Sequence, residues 1–184
     1  YKADVSVNAD MEKVFNENKD AVAIVHFAAF KAVGESVQKP LMYYQNNIQG
    51  IINILSQMQQ NRINNLVFSS SCTVYGQAEL LPVTENSPIL KAESPYGNTK
   101  KISEEIISDT VKSDKNLNVV SLRYFNPIGA HTSAEIGELP IGIPNNLLPF
   151  ITQTAIGMRE KLSVFGDDYN TPDGTAIRDY INVV

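Results

Sequence analysis

The hydrophobic positions at the beginning of the chain follow two patterns in turn. Residues 6–20 carry apolar side chains at helical spacing, which predicts an amphipathic helix. Its expected buried face consists of four apolar residues, Val7, Met11, Val14 and Phe15. Residues 21–30 then form a nearly continuous apolar run that contains several β-branched side chains. Such a run predicts a strand that is buried on both faces of a parallel sheet.

The alternation of strand and helix patterns continues to residue 126. We predict helices over residues 40–62 and about 95–112, and strands over residues 64–71 and 118–125. Ser94, which a proline follows, is the expected N-cap of the second of these helices. Strands separated by helical crossovers predict an α/β fold with a doubly wound parallel sheet.

The pattern changes after residue 126, where glycine and proline become frequent. The segment 127–184 contains one predicted helix, residues 145–157, and one predicted strand, residues 161–166. We therefore divide the chain into two regions, residues 1–126 and residues 127–184.

Composition narrows the classes of function. The 184 residues are 43% hydrophobic and 19% charged, as in ordinary globular domains, and the formal net charge is −5. No lysine- or arginine-rich run is present, which argues against nucleic acid or an anionic membrane as the main partner. The longest apolar run, residues 21–30, is too short to span a bilayer. A single cysteine, Cys72, excludes an intramolecular disulfide, and no metal-ligand spacing occurs, so we expect no metal site.

Two features suggest that the sequence is part of a longer one. The chain begins without methionine and stops within an apolar pattern, so we expect a fragment that lacks both termini. A G-x-G-x-x-G turn, which normally begins a dinucleotide-binding sheet, is absent from the sequence. Either the protein is not a dinucleotide enzyme, or its first βαβ unit lies before residue 1.

Tyr96 and Lys100 are the most distinctive candidates for catalysis. Positions i and i+4 share one face of a helix, so both side chains point the same way. An ammonium about 5 Å from a phenol is worth roughly 3 kcal/mol at an effective dielectric near 20, or about 2 pKa units. A second cation, such as an oxidised nicotinamide ring, would make the tyrosine an effective base near neutral pH. Alternatively, Tyr96 packs its ring and Lys100 is solvated. Ser71, at the end of a predicted strand, could share a substrate proton with the phenol.

Longer sequence segments are more specific than the spacing of Tyr96 and Lys100. The sequence contains, in order, HFAAFKAVGESVQKPLMYYQNN, FSSSCTVYG, SPYGNTK, LRYFNPIGAH, GIPNNLLP and DGTAIRDYI. Together they resemble the UDP-galactose (UDP-glucose) 4-epimerase family of the extended short-chain dehydrogenase/reductases. The resemblance implies an incomplete Rossmann-like NAD-binding region at residues 1–126 and the start of a substrate-binding region at residues 127–184. It also implies tightly bound NAD, a UDP-sugar substrate, a cytoplasmic location, and a homodimer formed through helices 40–62 and 95–112.

The same resemblance implies roles for individual residues. Tyr96 would remove the proton from the 4-hydroxyl group of the sugar, Lys100 would tune the phenol, and Ser71 would bridge the two hydroxyls. The implied cofactor contacts are Asp4, Val5, Phe27, Ala28, Lys31, Asn46, Ser69, Tyr96, Lys100 and Tyr124. The implied substrate contacts are Ser71, Tyr96, Phe125, Asn126, Asn146, Leu147 and Arg178. From the residues alone, Arg178 could be a surface arginine and Asn146 a helix cap. We interpret His26 as a buried core histidine.

Other functions remain to be compared with the epimerase. A sugar-nucleotide 4,6-dehydratase would need an Asp-Glu pair after the serines, where this sequence has Cys72 and Thr73. An enzyme that epimerises or decarboxylates UDP-glucuronate stays an alternative, as does a non-catalytic nucleotide-binding module. Without the glycine-rich unit, we expect the fragment alone to be inactive.

Overall fold

The computed structural model describes residues 1–184 as two compact units, residues 1–123 and residues 124–184. The first unit contains α1 (Asn8–Glu17), β1 (Ile24–His26), α2 (Val33–Gln38), α3 (Pro40–Asn61), β2 (Asn65–Ser69), a 3₁₀ turn (Cys72–Tyr75), α4 (Pro95–Ser113) and β3 (Asn118–Leu122). The second unit contains β4 (Asn126–Ile128), α5 (Leu147–Ala155) and β5 (Tyr180–Asn182). No helix is both long enough and apolar enough to cross a membrane. That the second region binds the substrate stays a prediction.

A three-stranded parallel sheet organises the first unit. The strand order is β1-β2-β3, with Val25 beside Val67 and Val67 beside Val120. Helices connect successive strands, which is the connection that parallel strands require. The predicted fold class, a Rossmann-like parallel sheet with flanking helices, is confirmed.

The core lies between one face of this sheet and three helices. Met11 and Phe15 of α1 pack with apolar residues of α3 and α4, and with Leu66 and Phe68 of β2. Ile51 at the centre of α3 is completely buried. Burying each large apolar side chain contributes about 1.5–3 kcal/mol, so this cluster contributes strongly to the stability of the unit.

The two long helices agree with the sequence pattern. Helix α4 begins where Ser94 accepts a hydrogen bond from the Gly97 amide at 3.1 Å, and Pro95 takes the first helical position. Helix α3 begins at Pro40 and ends before Arg62, whose φ of 58° lies in the left-handed region. The predicted ranges of both helices are therefore confirmed to within one residue at each end.

Three predictions from the pattern are wrong. The run 21–30 forms a strand only at Ile24–His26; beyond this strand, the Phe30 peptide bonds to the Asn47 side chain and not to a neighbouring strand. Within residues 1–184 the strand is also not buried on both faces, since Val25 is 62% exposed. Residues 161–166 form no strand.

Smaller differences concern helices α1 and α2. Val7 precedes α1 and is exposed, so it does not belong to the buried face. The polar segment between β1 and α3 contains the short helix α2, which the sequence pattern did not predict.

The second unit is built around a short parallel pair. Strands β4 and β5 align Asn126 with Tyr180 and Ile128 with Asn182. Helix α5 follows Asn146 and keeps the predicted position, with slightly shorter bounds than residues 145–157.

Candidate active site

Three consecutive buried serines lie at the end of β2, with Ser69 as its last residue, and each has a different contact. The Ser69 carbonyl accepts a hydrogen bond of 2.6 Å from Lys100 Nζ. The Ser70 hydroxyl donates to the carboxylate of Glu104. The Ser71 hydroxyl oxygen accepts from the Thr73 amide at 3.3 Å and so begins the 3₁₀ turn. The Ser71 O–H remains a donor for a further partner in this arrangement. We call residues 69–71 the serine loop.

Lys100 lies buried beside the first residue of the serine loop and is only 4% exposed. Its Nζ is 5.1 Å from the centroid of the Phe68 ring and 5.9 Å from that of the half-buried Tyr96 ring. Burial lowers the pKa of Lys100 from 10.5 to about 8, and no carboxylate forms an ion pair with it. The ammonium is therefore available to stabilise a negative charge that develops on a neighbouring group.

His26 is a second neighbour of Phe68. Its ring is buried, with its centroid 5.9 Å from that of Phe68. Burial and, second, the charge of Lys100 lower the pKa of His26 to about 4. The ring is therefore neutral at pH 7, which agrees with its interpretation as a core histidine.

A chain of hydrogen bonds fixes the first turn of α4, which carries Tyr96. The Thr99 hydroxyl donates to the Tyr96 carbonyl at 2.7 Å and accepts from the Asn47 side chain at 3.0 Å. Gly97 lies against Thr73, because a Cβ at this glycine would be 3.2 Å from the Thr73 Cβ. The glycine thus allows α4 to approach the turn that follows Ser71.

The loop after β1 carries the predicted cofactor contacts Phe27, Ala28 and Lys31, all of which are exposed. Because His26 pairs with Phe68 in the sheet, this loop leaves the same edge of the sheet as the serine loop. Asn47 accepts from the Phe30 amide at 2.9 Å and donates to the Phe30 carbonyl at 3.0 Å.

The two hydrogen bonds between the Asn47 side chain and the Phe30 backbone form what we call the Asn47 clamp. Asn46, another predicted cofactor contact, lies beside this clamp. Its side-chain amide donates to the Asn47 oxygen at 3.0 Å. The two asparagines therefore connect helix α3 to the loop that follows β1.

Asp4 and Val5 have local roles at the beginning of the chain. The Asp4 carboxylate accepts from the Ser6 hydroxyl at 2.7 Å and from the Ser6 amide at 2.8 Å, and these bonds lower the pKa of Asp4. The Val5 carbonyl accepts from the Asn53 side chain at 2.9 Å. Their implied contacts with adenine stay predictions.

The second unit brings two of the predicted substrate residues together. The Asn126 side chain donates to the Asp179 carbonyl at 2.8 Å, next to the exposed Arg178. Arg178 Nη1 donates to the Ile177 carbonyl at 2.8 Å, and its guanidinium forms no ion pair.

The remaining predicted residues of this unit lie at the beginning of α5 and before β4. Asn146 precedes α5, but its side chain donates to Glu138 and does not cap the helix. Leu147 is the first residue of α5, and Tyr124 and Phe125 lie directly before β4.

Three residues that the sequence pattern did not identify hold the loop after β1 and the serine loop in place: Asn47, Glu104 and Arg123. Arg123 forms a two-pronged ion pair with Glu104, with nitrogen–oxygen distances of 2.9, 3.2 and 2.7 Å. A sequence signal for Glu104 existed, because it follows Lys100 by one helical turn and so shares its face of α4.

Comparison with known proteins defines the class. The family model described as GDP-mannose 4,6-dehydratase matches residues 1–184. The chain belongs to this family. Cys72 and Thr73 nevertheless occupy the positions after the serines at which we expect a dehydratase to carry carboxylates.

Several similar proteins within this class are named UDP-glucose 4-epimerase. UDP-glucose 4-epimerase 2 of Arabidopsis thaliana is 53% identical over 184 residues, which is all of this chain and 52% of that protein. UDP-glucose 4-epimerase of Drosophila melanogaster is 54% identical over 185 residues, again all of this chain and 52% of that protein. The crystal structure of UDP-glucose 4-epimerase from Bifidobacterium longum, in complex with NAD⁺ and UDP, superposes with a TM-score of 0.95 at 47% identity; the match covers all of this chain and 54% of that one. The chain therefore spans about half the length of the relatives it matches, and its resemblance to UDP-glucose 4-epimerases is confirmed.

Proposed function

We propose that the protein containing this chain is a UDP-glucose 4-epimerase that interconverts UDP-galactose and UDP-glucose with bound NAD. The observation that carries the proposal is the buried, ion-pair-free Lys100 beside the Tyr96 ring, at the end of a serine loop. This arrangement occurs in a chain that is more than half identical to enzymes of that name.

Tyr96 is the base of the proposed reaction. Its phenolate removes the proton from the 4-hydroxyl group of the sugar, and the phenol returns a proton when the reaction reverses on the other face. Lys100 favours the phenolate by its charge, because burial reduces the screening of that charge by water. The Ser71 O–H donates to the oxygen from which the proton leaves. When bound, NAD supplies the reversible acceptance of hydride at C4.

The donor set of the chain fits the nicotinamide riboside end of NAD. Lys100 carries three N–H donors, one of which bonds to the Ser69 carbonyl, so donors remain for ribose hydroxyls. Lys31, an exposed cation after β1, suits the negatively charged diphosphate. The G-x-G-x-x-G turn is not among residues 1–184, so the fit does not extend to a complete diphosphate cradle.

Further cofactor contacts in the proposal follow the residues implied by the family. They are Asp4, Val5, Phe27, Ala28, Asn46, Ser69 and Tyr124.

Binding of the substrate must hold the nucleotide and release the sugar. Because the 4-keto sugar has to turn between the two hydride transfers, most of the affinity comes from UDP. We assign this binding to Asn126, Asn146, Leu147 and Arg178, and packing near the sugar to Phe125. An exposed guanidinium without a carboxylate partner, as in Arg178, suits a diphosphate well.

The proposed assembly is a cytoplasmic homodimer formed through α3 and α4. Exposed apolar side chains on α3, such as Leu41 at 80% and Ile52 at 39%, support this assignment. Equilibrium ultracentrifugation of the full-length protein tests the dimer.

Tyr96→Phe in the full-length protein tests the role of the phenol. We expect the rate of UDP-galactose conversion to fall at least about 1,000-fold, because general-base catalysis contributes up to about four orders of magnitude. UDP affinity, measured by calorimetry, should change less than about twofold. Tyr44→Phe is the matched control, since it removes the hydroxyl of a tyrosine outside the proposed site, which accepts from the Asn98 side chain of α4 at 2.7 Å. Equal loss of turnover and UDP binding in Tyr96→Phe would assign this tyrosine a structural role and refute the mechanism.

A further inference from the structure

A second polar cluster lies behind the serine loop. Glu104 and Arg123 form its ion pair, with side chains 10% and 23% exposed. Around them, Ser70 donates to Glu104, and Arg123 Nη1 donates to the Tyr75 hydroxyl at 3.1 Å. The Arg123 guanidinium also lies 5.1 Å from the centroid of the Tyr75 ring.

We propose that Glu104, Arg123 and Ser70 are positioning residues for the reaction, because they hold the segment that presents Ser71. This inference rests on the proposed function and assigns no contact with substrate to the three residues. Its basis is the set of attachments that joins residues 69–75 to helix α4.

The attachments enclose Ser71 on both sides along the chain. Before it, Lys100 bonds to the Ser69 carbonyl and Glu104 bonds to the Ser70 hydroxyl. After it, Arg123 bonds to Tyr75 at the end of the 3₁₀ turn. Lys100 and Glu104 are one helical turn apart on α4, so the helix that carries Tyr96 also fixes the position of the serine loop along its own axis.

Stability alone does not account for a half-buried ion pair at this place. Removing two charges even partly from water costs free energy, and apolar side chains of similar volume are often as stabilising as such a pair or more so. A two-pronged guanidinium–carboxylate pair does supply fixed directions, which apolar packing does not. Both Glu104 oxygens are engaged by Arg123, so the carboxylate that accepts from Ser70 has little freedom to rotate.

Ser70→Ala is the sharpest test in the full-length protein. Ser70 is fully buried and the change removes a single oxygen atom, so the fold and the Glu104–Arg123 pair should persist. We expect kcat per bound NAD to fall about tenfold, because small displacements of catalytic groups cost one to two orders of magnitude. KM for UDP-galactose should change less than about twofold, since the nucleotide contacts are untouched.

Glu104→Gln and a matched control complete the design. Glu104→Gln should lower kcat per bound NAD at least as much, and the double variant with Ser70→Ala should be less impaired than the product of the single effects. Glu105→Gln, the exposed neighbour on α4, should leave kcat unchanged.

The outcomes separate this inference from the proposed function. If wild-type protein converts UDP-galactose but Ser70→Ala lowers only the melting temperature and not kcat per bound NAD, the three residues are structural and the inference is wrong. If wild-type protein binds UDP and NAD but converts nothing, the proposed function is wrong and the inference falls with it.

Discussion

Replacement of Lys100 by methionine should make the protein more stable while abolishing its activity. Burial lowers the pKa of this lysine from 10.5 to about 8, a difference that corresponds to about 3 kcal/mol at roughly 1.4 kcal/mol per pH unit. Methionine avoids this penalty but leaves the Ser69 carbonyl without its 2.6 Å partner, which costs about 1–2 kcal/mol. The net gain should therefore be about 1–2 kcal/mol at pH 7.

The pH dependence of that gain identifies its cause. Below pH 8 Lys100 is protonated in both the folded and the unfolded chain, so the folded state carries the full penalty. Between about pH 8 and 10.5 the folded state releases the proton first, and the penalty disappears as pH rises. The stability difference between Lys100→Met and wild type should thus be constant up to about pH 8 and become smaller, or change sign, towards pH 10.5.

Urea unfolding of the nucleotide-free full-length proteins, measured at intervals between pH 7 and pH 10.5, provides the assay. Lys101→Met, at the next position of the same helix, controls for the general loss of one positive charge. A stability difference that does not vary with pH would refute the argument that Lys100 is held as a destabilised ammonium. Destabilisation by the substitution at all pH values would refute it as well.

Two further substitutions test contacts around the site. In Gly97→Ala the new methyl group would lie 3.2 Å from the Thr73 Cβ, so kcat should fall about tenfold. This loss should occur although alanine favours helices by about 1 kcal/mol relative to glycine. An unchanged kcat in the epimerase assay would show that the close approach of Gly97 to Thr73 is unnecessary. Asn47→Ala removes both bonds to the Phe30 backbone and should cost about 2 kcal/mol in urea unfolding and reduce bound NAD per chain; full NAD content would contradict a role for this clamp.

Local signals in the sequence were sufficient for the long helices and the parallel sheet. Ser94, the proline after it and the periodicity of the next residues predict α4 almost to its ends. The run 21–30 misled because apolar, β-branched composition does not report where pairing stops. There, a side chain distant in sequence, Asn47, replaces the neighbouring strand as partner of the Phe30 peptide. A hydrogen bond between residues so far apart in the sequence leaves no trace in the spacing of apolar residues.

The candidate site was predictable only where it depends on local helix geometry. The spacing of Tyr96 and Lys100 on one helix face follows from helix geometry, and the structure places the Lys100 Nζ 5.9 Å from the Tyr96 ring. The depth of Lys100 and its lowered pKa depend on packing against Phe68, which spacing does not encode. The pairing of Glu104 with Arg123 joins α4 to the end of β3 and becomes visible only in the folded chain.

The central claim is that the protein interconverts UDP-galactose and UDP-glucose with retained NAD. Its most direct test is to incubate the full-length protein with UDP-galactose, without added NAD, and to follow the formation of UDP-glucose. We expect conversion in which NAD copurifies with the protein and is not consumed. No conversion, even with NAD added and with UDP shown to bind, would contradict the account and favour a different UDP-sugar, such as a uronate, as the substrate.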